Sequence, residues 1–103
     1  MKYVYPACFY PEQDGRVSVE FADFDLATFG DDLADALYMA SDAAAGRILA
    51  MLRDGEELPQ PSDVQNVKPD DPKAFVSMVF IDLDVLTAKH DEKPVEKTLT
   101  PSA

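Results

Sequence analysis

The chain has 103 residues, of which 47% are apolar, so it is long enough for one folded domain and too apolar for a fully disordered segment. Nine Lys and Arg residues stand against twenty Asp and Glu, a formal net charge of −11. This balance argues against binding nucleic acid or anionic membranes through a basic surface. It favours either simple solubility or steered association with a basic protein, and composition alone does not separate these two interpretations.

The chain is expected to be cytoplasmic, because no segment has the composition of a signal peptide or of a membrane span. Its single cysteine, Cys8, excludes an intrachain disulfide. Cys8 lies in an apolar run far from the only histidine, His90. We therefore expect a packed structural thiol and not a nucleophile.

The first predicted element is a β-hairpin. Residues 2–10 alternate in a strand-like pattern, and Pro6 within them indicates an edge strand or a bulge, because proline cannot donate to a ladder. Turn-forming residues fill positions 11–15. In residues 16–21, Val17, Val19 and Phe21 then alternate with polar side chains, which predicts a half-buried strand paired with the first.

A short strand and a long helix follow. Residues 26–29 are typical of a third strand that ends at Gly30. The next segment predicts a helix over residues 32–53, with Asp32 as N-cap and Asp54-Gly55 as the stop. Apolar residues recur there at intervals of three and four, namely Leu33, Ala36, Leu37, Ala40, Ala44, Ile48, Met51 and Leu52.

The last predicted element is a strand over residues 75–86, preceded by a proline-rich loop over residues 56–73. Alternation places Val79, Ile81, Leu83 and Val85 on one face of this strand and Met78, Phe80, Asp82 and Asp84 on the other. The order β-β-β-α-β predicts an α+β fold, an antiparallel sheet with one helix packed on one face. Residues 87–103 are charged and lack a core pattern, although residues 95–100 are compatible with a short exposed strand.

The order and spacing of these segments resemble the HicB-type antitoxin family. No single segment is specific, but together they extend over most of residues 1–86. The matching segments are Tyr5-Pro6-Ala7, the Gly15 turn with residues 17–21, Asp23, residues 27–37, and residues 54–62. The chain departs from the family pattern at Ala22, where the family has proline, and is about one residue shorter in that loop.

The resemblance implies a partial ribonuclease-H-like fold and an antitoxin. Such a protein binds and inhibits a small basic HicA-type mRNA-cleaving toxin by masking its RNA-binding or catalytic face. Family members form dimers or tetramers, and many carry a C-terminal DNA-binding domain. Residues 96–100 resemble the first strand of a ribbon-helix-helix, but the sequence ends at Ala103. We therefore expect a toxin-neutralising domain over residues 1–86, a charged tail over residues 87–103, and no operator binding by this chain alone.

Two sets of residues are candidates for protein contacts. Acidic side chains near the sheet are the candidates for toxin binding, namely Glu20, Asp23, Asp25, Asp82 and Asp84. Which sheet face meets the toxin stays open, as does whether the last two acids face a partner or solvent. Met78 and Phe80 are the candidates for an oligomer interface, because a single helix can cover only one face of their strand.

Catalysis is not expected, and neither is a metal or a cofactor. Asp31, Asp32 and Asp35 are explained by helix capping and the helix dipole, and His90 by exposure in the charged tail. A metal nuclease, which the ribonuclease H resemblance suggests, would need cations to hold phosphates, and the sequence has few. The alternative to the antitoxin is a stand-alone HicB-like regulatory or RNA-associated binding module without a cognate toxin.

Overall fold

The computed structural model of the protein describes residues 1–85. Its elements are β1 (Lys2–Pro11), β2 (Val17–Phe21), β3 (Ala27–Gly30), α1 (Leu33–Arg53), a short 3-10 helix (Val64–Asn66) and β4 (Phe75–Asp82). The four strands form one antiparallel sheet in the order β3-β2-β1-β4, and α1 packs on one face. The predicted α+β fold is confirmed. His90, the expected strand within residues 95–100 and the tail over residues 87–103 lie outside the described residues.

The β1–β2 hairpin closes as predicted. The backbone N–H of Glu12 donates to the carbonyl oxygen of Arg16 (2.8 Å), and that of Gly15 donates to Glu12 (3.1 Å). Gly15 has a φ of 94°, a backbone conformation that glycine adopts without a steric penalty. Val17, Val19 and Phe21 of β2 are buried against the core while the residues between them are not, so the predicted alternation is correct.

The expectation that Pro6 marks an edge or a bulge is wrong, because β1 is an inner strand between β2 and β4. The carbonyl oxygen of Pro6 accepts from Ala22 (3.2 Å), just beyond Phe21, the last residue of β2. In an antiparallel strand the nitrogen and carbonyl of one residue point to the same side. The nitrogen of Pro6 therefore points to where the β2 ladder has already ended, and no ladder hydrogen bond is lost.

The ends of α1 follow the predicted signals. Asp32 is the N-cap, and its carboxylate accepts from the backbone N–H of Asp35 (2.8 Å). The carboxylate of Asp35 in turn accepts from the N–H of Asp31 (2.8 Å), which gives an acidic version of the capping box. At the other end Asp54 is the C-cap, and Gly55 follows with a φ of 73°.

The large apolar residues of the predicted stripe on α1 do not pack against the sheet as expected. Leu33, Leu37 and Leu52 are exposed, and Met51 is half-buried. The residues fully buried against the sheet are mostly alanines, namely Ala36, Ala40, Ala44, Ala45 and Ile48. Small side chains let the helix axis approach the sheet closely, so the large apolar volume of the core comes from the strands. The largest of these fully buried strand side chains are Phe9, Ile81, Val19 and Val79.

Strand β4 is shorter than predicted, and it ends at Asp82. Residues 83–85 are helical instead. The carboxylate of Asp82 accepts from the backbone N–H of Asp84 (3.1 Å), a local hydrogen bond that competes with strand continuation. Leu83 stays buried as expected, but Val85 is exposed and Asp84 is not on a strand face.

Candidate protein-binding surfaces

The structure divides the predicted toxin-binding acids among three places. Glu20 and Asp82 lie on the sheet face opposite α1, whereas Asp23 and Asp25 lie in the connection between β2 and β3. Glu20 is paired with Cys8 and Asp82 with Lys2. Cys8 and Lys2 are six residues apart on β1, so Glu20 and Asp82 are separated by about 20 Å along the strand at ~3.3 Å per residue. These acids therefore do not form one cluster.

Asp84 lies beyond the end of β4, where its carboxylate is 2.9 Å from the amino group of Met1. The amino group donates a hydrogen bond and lowers the pKa of the Asp84 carboxyl below its usual range. Both groups are well exposed, so this ion pair contributes little to stability.

Asp23 is a structural residue. Its carboxylate accepts from the backbone N–H of Ser62 (2.9 Å) and also from the Ser62 hydroxyl. Both interactions are partly buried, and they tie the long α1–β4 connection to the end of β2. Each oxygen of this carboxylate accepts one hydrogen bond from Ser62, and about half of its acceptor sites remain available.

Asp25 lies at the edge of a cleft between the β2–β3 connection and the C-terminal end of α1. The apolar side chains in the lining are Phe24, Met51 and Pro59; the charged ones are Asp23, Asp25, Arg47, Glu56 and Glu57. We call this feature the acidic cleft. Asp25, Glu56 and Glu57 are exposed, and none of the three forms a salt bridge to another residue within 1–85. The carbonyl end of α1 adds to the negative potential here.

The walls of the acidic cleft are held by aromatic packing and by long-range hydrogen bonds. Phe24 is buried and packs edge-on against Tyr5, with ring centroids 4.6 Å apart, and against Phe21 at 6.1 Å. The Tyr5 hydroxyl donates to the carbonyl oxygen of Pro59 (2.8 Å). Burial raises the pKa of Tyr5, so its hydroxyl remains a protonated donor to a higher pH than an ordinary tyrosine does. Arg47 donates to the carbonyl oxygen of Asp25 (3.1 Å).

Sequence reasoning missed Glu56 and Glu57 as site residues. The available signal was their position directly after the helix stop at Asp54-Gly55, where the chain must turn back towards the sheet. Their approach to Asp25 depends on how the α1–β4 connection is tethered, and no local pattern encodes that tether.

A second concave region lies beside the β1–β2 hairpin, but its charges are largely engaged within the domain. The hydroxyl of Ser18 donates to Glu12 (2.9 Å), and that of Tyr10 donates to Glu20 (3.3 Å). Arg16 and Lys73 also line this region, and the Arg16 guanidinium lies 5.2 Å from the centre of the Phe29 ring. The mixture of signs makes this region less suited than the acidic cleft to a strongly basic partner.

The sheet face opposite α1 carries a third surface, on β1 and β4. Its residues are paired across the two strands as Val4 with Phe80, Pro6 with Met78, and Cys8 with Val76. We call these six residues the outer strip. Met78 and Phe80 are exposed on this face as predicted, and Cys8 is a buried thiol within it.

Neither a metal cluster nor a membrane span is found in the described part of the chain. No three His, Cys, Asp or Glu side chains within residues 1–85 are arranged to hold a metal ion. In the same range no helix is long and apolar enough to cross a bilayer.

The fold and the acidic cleft define a small sheet-and-helix domain with a cleft lined mainly by acidic charges on its surface. No family model and no curated protein sequence matches the chain. Solved structures do match. A chain of a toxin–antitoxin complex from Streptococcus pneumoniae has a TM-score of 0.74 and 26% identity, over 97% of this chain and 91% of that chain.

Two further structures carry the name of the HicB antitoxins. A chain of the HicA3 and HicB3 toxin–antitoxin complex has a TM-score of 0.61 and 29% identity, over 78% of this chain and 99% of that chain. The N-terminal domain of the Burkholderia pseudomallei antitoxin HicB has a TM-score of 0.68 and 21% identity, over 79% of this chain and 100% of that domain. The predicted resemblance to HicB-type antitoxins is therefore confirmed by structure.

Proposed function

We propose that this protein is an antitoxin that binds a small basic HicA-type mRNA-cleaving toxin and inhibits it by masking its RNA-binding or catalytic face. The observation that carries the proposal is the likeness to chains of two toxin–antitoxin complexes, at 26% and 29% identity over most of both chains. The protein acts by binding and not by catalysis. We expect no metal-dependent RNA cleavage by the chain alone.

We assign the toxin contact to the acidic cleft. An apolar floor surrounded by exposed charge matches the usual anatomy of a protein interface, in which buried apolar contacts hold the complex and peripheral charges speed and orient encounter. Phe24, Met51 and Pro59 supply the apolar part, and Asp25, Glu56 and Glu57 supply the charge. A basic side chain of the toxin entering the cleft would meet Asp25, Glu56 and Glu57, which form no salt bridge within residues 1–85. The cation in the lining, Arg47, donates to the backbone carbonyl of Asp25.

The other predicted acids contribute to attraction at a distance. Glu20 and Asp82 lie on the sheet face opposite α1, and Asp84 lies beyond β4, so none of them lines the acidic cleft. Together with the net charge of −11 they steer a basic protein towards the domain. Asp23 supports the cleft through Ser62 and is not assigned a contact.

If a small basic protein is encoded beside this chain, co-expression of the two tests the proposal. We expect the two proteins to purify together in a fixed ratio and expect growth to be restored in cells that express the basic protein. If the neighbour is not toxic and does not bind, the antitoxin proposal is wrong, and the stand-alone regulatory or RNA-associated module takes its place.

Charge reversal at a single position tests the assigned surface. Asp25→Lys should slow association with the basic protein by roughly tenfold, because it places a positive charge where the positively charged partner approaches. The matched control is Asp70→Lys, which changes the net charge equally at an exposed position outside the acidic cleft and should slow association by only about twofold. Equal effects of the two substitutions on the association rate would mean that the partner responds to the net charge of the domain, and the assignment of the contact to the acidic cleft would be wrong.

A further inference from the structure

Arg47 is the one cation among the described residues that line the acidic cleft, and the other charged side chains there are carboxylates. It lies on α1 one turn before Met51 and is half-buried. Its guanidinium nevertheless forms no salt bridge with a carboxylate of residues 1–85. It donates instead to a backbone group, the carbonyl oxygen of Asp25 (3.1 Å). The acidic cleft therefore presents one positive group and several negative groups that do not pair with each other.

The hydrogen bond to Asp25 fixes the position of the guanidinium and leaves most of it available. The acceptor belongs to the backbone of the β2–β3 connection, which is itself closed by a hydrogen bond from the N–H of Phe21 to the carbonyl oxygen of Leu26 (3.0 Å). A guanidinium is a planar group with several N–H donors and no acceptor. Within residues 1–85, only Nη2 of Arg47 is engaged. The remaining donors are open to a partner that enters the cleft.

A partner that covers the acidic cleft also buries Arg47, and this burial is costly unless the partner supplies an acceptor. A charged group that loses its water without gaining a hydrogen-bonded counter-charge is strongly destabilising. A partner surface that carries only Lys and Arg would satisfy the carboxylates of the cleft but would leave Arg47 unpaired beside like charges. A carboxylate on the partner removes this cost, because it accepts two N–H donors of a guanidinium side by side.

We propose that Arg47 is a specificity-determining residue of the acidic cleft and binds a carboxylate of the partner. This carboxylate belongs to an Asp or Glu that lies beside the basic side chain bound by the acids of the cleft. The inference rests on the proposed function and adds the chemistry of the surface that the cleft accepts. A uniformly basic protein meets an unpaired cation in the cleft and is rejected. Net charge steers the encounter, and Arg47 decides which basic proteins stay bound.

The sign of the effect of Arg47→Gln tests the proposal. Long-range attraction alone predicts that the loss of a positive charge improves binding to a basic protein. The proposal predicts the reverse, because the partner's carboxylate loses its counter-charge. Arg47→Gln should raise the Kd for the basic protein of the co-expression experiment by at least about tenfold, through faster dissociation. Surface plasmon resonance measures both rate constants.

Lys68→Gln is the matched control for Arg47→Gln, since it removes the same charge at an exposed position outside the acidic cleft. It should leave the dissociation rate unchanged and speed association by less than about twofold. Thermal unfolding of both variants shows whether they remain folded.

Exchange of charge between the two proteins separates a direct contact from a structural role of the hydrogen bond between Arg47 and Asp25. Arg47→Glu should weaken binding at least as much as Arg47→Gln, although it makes the domain more negative. Replacement of one Asp or Glu of the basic protein by Lys should then restore at least about tenfold of the affinity for Arg47→Glu, and should weaken binding to the wild type. A purely structural effect of Arg47 would not be restored by a change in the partner.

Unchanged or tighter binding by Arg47→Gln would overturn the proposal and leave the antitoxin function standing. The same holds for a weakened Arg47→Glu variant that no Asp or Glu to Lys substitution in the basic protein restores. If the wild type itself does not bind the basic protein, the proposed function is wrong and the role of Arg47 falls with it. The two failures are distinguishable, because the second is seen with the wild type alone.

Discussion

Ser62 and Asp23 are 39 residues apart in the sequence and meet in the fold through two hydrogen bonds. The backbone N–H of Ser62 donates to Oδ2 of Asp23 at 2.9 Å, and its hydroxyl donates to Oδ1. The Ser62 contact joins the α1–β4 connection to the end of β2, while the nearby Tyr5–Pro59 hydrogen bond joins it to β1. These tethers hold Glu56 and Glu57 in the same cleft as Asp25, so the shape of the acidic cleft depends on Asp23, whose carboxylate is hydrogen-bonded within the domain.

Asp23→Ala should lower the free energy of unfolding by about 1–3 kcal/mol. It removes a half-buried carboxylate and leaves the backbone N–H and the hydroxyl of Ser62 without their acceptor. For a domain of this size, 1 kcal/mol corresponds to a shift of roughly 4–8 °C in Tm. Thermal and urea unfolding measure the effect. Asp25→Ala is the control, since its carboxylate is exposed, and it should change stability by no more than about 0.5 kcal/mol. Equal losses in the two variants would contradict the tethering role.

Gly30→Ala should be strongly destabilising. A Cβ at this position would lie 2.6 Å from the carbonyl carbon of Asp35 and still closer to the backbone nitrogen of Ala36. These are helix backbone atoms that cannot turn aside, so β3 and the start of α1 would have to separate, at a cost of roughly 3 kcal/mol or more. Circular dichroism during thermal unfolding measures it.

Gly55→Ala is the control for Gly30→Ala. A Cβ at Gly55 meets nothing within 4 Å, and only its φ of 73° is unfavourable. The expected cost is about 1 kcal/mol. A larger loss of stability in Gly55→Ala than in Gly30→Ala would contradict the importance of the close approach between β3 and α1.

Tyr5→Phe should cost about 0.5–1.5 kcal/mol, because it removes the hydrogen bond to Pro59 while keeping the buried ring and its contact with Phe24. The effect on the local structure of the acidic cleft is more specific. A loosened Pro59 should raise the hydrogen exchange of amides at residues 56–58 while amides of the β1–β2 hairpin stay protected. Uniform exchange throughout the domain would instead indicate a general loss of stability.

Tyr10 should titrate far above an ordinary tyrosine. Burial, followed by the neighbouring Cys8 and Glu20, raises its pKa to about 12 from 10.0. The folded pKa is the higher one, so the stability contribution of Tyr10 is present below pH 10 and is lost as the pH rises through about 12. Ultraviolet absorbance of tyrosinate should show late ionisation that loses the amplitude of one tyrosine in Tyr10→Phe, while Tyr5, whose pKa is also raised, still ionises late.

Glu20→Gln provides the comparison for Tyr10. It removes a negative charge that opposes ionisation and keeps a hydrogen-bond acceptor, so the late step should move to lower pH. Late absorbance of the same amplitude in Tyr10→Phe and in the wild type would contradict the assignment to Tyr10.

Local features of the fold could be predicted because their causes lie within a few residues. The Gly15 turn, the alternation of Val17, Val19 and Phe21, and the capping of α1 by Asp32 depend on neighbouring backbone groups. The end of β4 could not be placed in this way. In the sequence, the alternation of apolar and polar residues continues past Asp82. In the structure, the backbone N–H of Asp84 donates to the Asp82 carboxylate, and a helical turn begins there.

The sequence by itself determined the element order, the α+β class, the negative charge and the resemblance to HicB-type antitoxins. These properties are set by local periodicity, turn chemistry and composition. Only the tertiary structure decided that β1 lies inside the sheet and tolerates Pro6, that Asp25, Glu56 and Glu57 line one cleft, and that Glu20 lies apart from it. Those relationships depend on which strands become neighbours and where a long connection is tethered. Both are fixed by contacts between residues that are distant in the chain, and periodicity carries no information about such contacts.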